Sequence, residues 1–60
     1  MEEFIEVEIL SNKGIVWWHG GGSVVMISEM SGEGFDEKIV EGARKLAKKW
    51  CLPLVGDENE

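Results

Sequence analysis

The chain has 60 residues, 43% of them hydrophobic, and a formal net charge of −6. That length supports one small core, burying only about 60% of the surface an unfolded chain exposes. One cysteine and one histidine exclude an internal disulfide and a four-ligand Cys/His zinc site within one chain.

Residues 4–10, FIEVEIL, alternate apolar and acidic side chains. Ile5, Val7 and Ile9 point one way and Glu6 and Glu8 the other, which is the period-two pattern of a half-buried strand. SNKG, residues 11–14, reads as a turn. A second strand of β-branched and aromatic residues follows at 15–18, IVWW. Gly20, Gly21 and Gly22 break it, supplying a flexible hairpin loop. SVVMISE, residues 23–29, reads as a third strand, and the short connections predict an antiparallel meander.

After the breaker SGEG the period becomes helical. Phe35, Ile39, Val40, Ala43, Leu46, Ala47 and Trp50 lie on one apolar stripe. Asp36 reads as the N-cap or, with Glu37, as part of the first turn. Lys48 and Lys49 occupy the last turn, an order of charge that complements the helix dipole. Gly42 costs about 1 kcal/mol relative to alanine in a helix interior and is expected to let the helix approach the sheet closely. Pro53 ends the helix near Cys51 by forcing Leu52 into an extended conformation. Leu52, Leu54 and Val55 then read as a short fourth strand or as an arm laid on a neighbour. The expected fold class is α+β: a three-stranded antiparallel meander packed by one C-terminal amphipathic helix. Residues 1–56 form the domain and 57–60 an acidic tail.

Charge is unevenly placed. Residues 1–33 carry six acids against Lys13, residues 34–50 carry five bases against three acids, and residues 51–60 carry three acids. Such a field repels phosphate backbones, counts against nucleic acid, and suits a basic protein partner. MEEFIEVEIL lacks the basic segment and apolar run of a signal peptide, and no stretch approaches the roughly 18 apolar residues of a membrane span. A lone thiol fits a reducing cytoplasm, with Cys51 expected to be packed and inert.

Strands two and three carry apolar residues on both faces, whereas one helix covers only one. Trp17 opposes Trp18, and Val25 and Ile27 oppose Val24 and Met26. An uncovered apolar face rimmed by glutamates marks an interaction surface. A chain this small, without disulfide or metal, gains most from a partner chain, so a homodimer joined sheet to sheet is expected. Trp17, Trp18, His19, Glu6, Glu8, Val25 and Ile27 are the candidate interface residues, with Gly20, Gly21 and Gly22 as the loop beside them.

Catalytic readings are weaker. His19-Gly20-Gly21-Gly22 matches the oxyanion loop of some α/β-hydrolases only as a pattern, because no nucleophile elbow accompanies it. A glycine-rich anion cradle runs into a helix N-terminus, whereas this loop runs into a strand. Trp17 and Trp18 suit a base-stacking platform, with Lys38, Arg44, Lys45, Lys48 and Lys49 as a basic helix face, but Lys13 is the only cation among the strands.

The element order β-β-β-α-β is similar to the opening of the ribonuclease H fold. That likeness would make Glu8, Glu41 and Asp57 carboxylates for two-metal chemistry, which requires them to converge. Element order without motifs carries no function. The sequence reads as a small, acidic, non-enzymatic interaction module without cofactor or metal, a regulator or inhibitor of a partner protein. The alternative is a ligand- or nucleic-acid-binding module.

Overall fold

A computed structural model of the chain describes residues 2–57. Strands β1 (Phe4–Ile9), β2 (Lys13–Gly20) and β3 (Ser23–Ser31) are followed by helix α1 (Phe35–Trp50) and a two-residue strand β4 (Leu54–Val55). They form one four-stranded sheet in the order β3-β2-β1-β4. The α+β class and the three-stranded antiparallel meander under one helix are as the sequence predicts. The extended segment after Pro53 pairs parallel with β1 of its own chain, where the Ile5 N–H donates to the Pro53 carbonyl at 2.9 Å. Of the expected acidic tail, residues 58–60 lie outside the described residues.

Register follows from the turns. Gly20 pairs with Ser23, and Gly21 and Gly22 between them have φ of 57° and 82°. Two successive positive φ values make a type I′ turn, whose twist matches that of a two-residue hairpin. From that turn the strands extend further than the sequence suggests. Lys13 and Gly14, expected in a turn, belong to β2 and pair with Ser31 and Met30. Ser11 and Asn12 make the bend, and the Leu10 N–H donates to the Lys13 carbonyl at 2.7 Å.

The core lies between α1 and one face of the sheet. Ile5, Val7 and Val16 meet Ile39, Ala43 and Ala47, with Trp18, Met30, Leu46 and Leu54 packed around them. Close approach is achieved with small residues. A β-carbon on Gly14 would lie 2.6 Å from Ile39 Cγ2, so this strand glycine is the one the helix needs. Gly42 has nothing within 4 Å of where its β-carbon would be and faces outward, which overturns the expectation that it admits the sheet. Trp50, at the end of the predicted stripe, is exposed.

Helix ends are set by backbone rather than by side-chain caps. Gly34, in the left-handed region, is the N-cap and makes no side-chain cap bond. Asp36 sits one residue inside the helix, its Oδ1 accepting from the Glu37 N–H at 2.8 Å, with both acids in the first turn. At the other end Cys51 has φ 59° and ψ 42°, its N–H directed at the Ala47 and Lys48 carbonyls, while the Leu52 N–H donates to Ala47 at 2.9 Å. This is a left-handed C-terminal cap, a position that favours glycine. Cys51 is exposed, not packed as expected, and it stands past the end of the helix in the left-handed region.

Candidate functional site

Among the described residues no second layer covers the face of the sheet away from α1, and the residues on that face follow from the register. Ile5 and Val7 face the helix, and opposite them lie Trp18 and Val16. The intervening residues therefore share the open face: Phe4, Glu6 and Glu8 on β1, and His19, Trp17 and Ile15 on β2. Their β3 partners are Val24, Met26 and Glu29. A β-bulge lies on β3 at Ile27, between the pairs Trp17–Met26 and Val16–Ser28. The extra residue shifts the alternation, so Ser28, and not Ile27, follows Val25 on the helix side.

The two tryptophans thus have different roles. Trp18 packs against the core and its ring lies over Gly20, where a β-carbon would come within 2.5 Å of Cζ2. Gly20 is accordingly a buried strand residue rather than part of the loop. Trp17 lies on the open face, and its Nε1–H donates to Glu8 Oε1 at 2.9 Å. His19 Nε2 lies 2.7 Å from Glu6 Oε1, with the ring stacked on Phe4 at a centroid distance of 4.3 Å and an interplanar angle of 9°. Each β2 ring therefore reaches past its direct cross-strand neighbour to the next glutamate along β1. The result is an interlocked lattice of two carboxylates and three rings, all half-buried. Hydrogen bonds to ionised carboxylates are about twice as strong as neutral ones, so these rings are held in defined positions before any partner arrives.

Beside that lattice the structure leaves apolar surface uncovered. Val24, Val25, Met26 and Ile27 are exposed by 56, 47, 50 and 39%. Of the sequence-predicted interface residues, Glu6, Glu8, Trp17 and His19 come together on the open face. Trp18 and Val25 lie on the helix side, and Ile27 stands at the bulge. The sequence reading passed over Phe4, Val24 and Met26. Phe4 and Val24 pair with His19 from either side, a relation visible only once the register is known.

The carboxylates of the ribonuclease H comparison do not converge. Glu8 holds Trp17, Glu41 lies 3.7 Å from Lys45 Nζ, and Asp57 lies 3.4 Å from Arg44 Nε. Among the described residues no three His, Cys, Asp or Glu side chains are placed to share a metal ion. A groove of about 790 Å³ opens beside Asp36, Glu37, Glu41 and the Arg44–Asp57 pair. It is acid-lined and separate from the aromatic lattice. No helix among the described residues is long and apolar enough to cross a membrane. Comparison with known protein families, with curated proteins and with solved structures found no match to this chain.

Proposed function

We propose that the chain is a small, acidic, non-enzymatic interaction module. In this reading it acts in the cytoplasm as a homodimer and occupies a basic partner protein as a regulator or inhibitor. The observation that carries this reading is the open sheet face, where Trp17 and His19 are fixed by Glu8 and Glu6 beside exposed Val24 and Met26. Pre-positioned aromatics next to uncovered apolar surface suit a protein interface, in which a few aromatic anchors carry most of the energy. The flanking carboxylates select the charge of the partner and speed its approach. The same carboxylates disfavour a nucleic-acid platform, since any phosphate near Trp17 meets Glu6 and Glu8.

The test is affinity capture from a cell extract of the source organism, with the wild-type chain compared with Trp17→Ala and with a Glu6→Gln/Glu8→Gln double variant. The expected result is a basic protein retained by the wild type, weakened at least tenfold by either variant and eluted by salt. Each 1.4 kcal/mol lost at the interface is a factor of ten, and one anchor commonly supplies more. Equal retention by all three folded proteins would refute the open face as the contact.

A further inference from the structure

We propose that two copies of the chain join through their β3 edges, antiparallel, about a two-fold axis at Val25, forming one continuous eight-stranded sheet. This rests on the homodimer reading above and supplies its geometry, which differs from the sheet-to-sheet packing expected from the sequence.

The two edges of the sheet are built differently. The β4 edge is two residues long and bounded by Pro53 and Gly56. The β3 edge is nine residues long. Natural edge strands are blunted by charge, proline, bulges or a covering element. From Gly20 to Ser28 the chain has no charged residue and no proline. Its one such device, the bulge at Ile27, limits the pairable stretch to residues 23–27.

Which backbone groups point outward follows from one hydrogen bond. The Ile5 N–H donates to Pro53 and so faces β4. Donors and acceptors alternate along an antiparallel strand, so Trp18, opposite Ile5, turns its polar groups toward β3. Val25, opposite Trp18, turns inward to meet them. Val24 and Met26 therefore present their N–H and C=O groups outward. A second β3, antiparallel with Val24 opposite Met26 of the other copy, satisfies all of these groups with four backbone hydrogen bonds. Val25 then faces Val25 of the second copy on the axis.

Charge favours the edge over the face. In this register Glu29 stands opposite Gly21 of the second copy. The two Glu29 residues are then eight positions apart, about 27 Å at roughly 3.4 Å per residue, and each is paired with its own Lys13 at 2.9 Å. Packing the open faces together would instead bring Glu6, Glu8 and Glu29 of both copies into one contact. The two-fold axis is perpendicular to the sheet, so both helices lie on one side. Both aromatic lattices lie on the other, side by side and open to a partner.

The full-length chain would be examined by light scattering from about 1 μM to about 1 mM, alongside Met26→Pro and a Val25→Cys variant in a Cys51→Ser background. Met26 has no ladder bond to β2, so proline there removes two of the four intermolecular bonds and leaves the hairpin intact. The expected result is a dimer whose dissociation constant rises at least about tenfold in Met26→Pro. Val25→Cys should form a disulfide-linked dimer on air oxidation, because directly opposed residues of a non-hydrogen-bonded pair lie within disulfide reach. Lys49→Cys in the same background should not. A dimer that survives Met26→Pro unchanged and gives no Val25→Cys crosslink overturns the edge geometry and leaves the homodimer standing. A monomer at every concentration overturns both. The crosslink does not depend on the folding of the proline variant.

Discussion

Gly14 and Gly42 are expected to respond in opposite directions to the same substitution. Gly14→Ala places a β-carbon against the branched root of buried Ile39, where no flexible chain end can move aside. Overpacking of this kind costs about 1–3 kcal/mol. Gly42→Ala meets nothing within 4 Å among the described residues and gains helix propensity, about 1 kcal/mol. Urea denaturation of both variants, with unchanged slopes, would check the pair. A destabilised Gly42→Ala would mean that the outer face of α1 is covered in solution. Cys51 is a third residue whose backbone matters more than its chemistry, since it stands in the left-handed cap position at the helix end.

Within the elements, adjacent Trp17 and Trp18 separate stability from contact. Trp18 belongs to the shell of the core and covers Gly20, so Trp18→Ala should cost on the order of 2–4 kcal/mol, near the lower range for buried aromatics. Trp17 is half-buried and tied by one hydrogen bond to Glu8, and a hydrogen bond that exchanges with water is worth about 0.5–1.5 kcal/mol net. Trp17→Ala should therefore cost about 1 kcal/mol and leave the fold intact. Thermal melts that rank the two the other way would place Trp17 in the core and remove it from the proposed interface. The difference arises because β2 alternates its side chains between a covered and an uncovered face.

At the scale of the whole molecule, charge and shape divide the surface into two uses. The chain is elongated, 35 × 19 × 19 Å, with no charge on the β3 edge from Ser23 to Ser28 and carboxylates on the open face. Two chains of net charge −6 repel each other, and salt screens that repulsion. Self-association is therefore expected to tighten severalfold between about 10 mM and 150 mM salt, across which the Debye length falls from about 30 to 8 Å. Binding of a basic partner is expected to weaken over the same range. Sedimentation velocity on the chain alone and with a captured partner would check the two slopes. Weaker self-association at higher salt would assign the dimer to an ion-paired surface rather than to β3.

Several features could be read from the sequence because their causes are local. Alternation in FIEVEIL, a glycine turn between the second and third strands, the helical stripe from Phe35 and the stop before Pro53 each depend on near neighbours along the chain. They were enough to place three strands, one helix and an extended tail segment, and to put Glu6 and Glu8 on the outer face. Tertiary structure decided whatever depends on pairing between distant residues. Gly14 became a strand residue under Ile39 because β2 runs on to meet Ser31 and Met30. Val25 and Ile27 parted company because one bulge shifts the alternation of β3. Trp18 went inward because Ile5, thirteen residues earlier, sits opposite it. The open face depends on the same kind of cause. Its residue types are visible in the chain, but which rings stand beside which carboxylates is fixed by strand register, a relation between segments that no local pattern encodes.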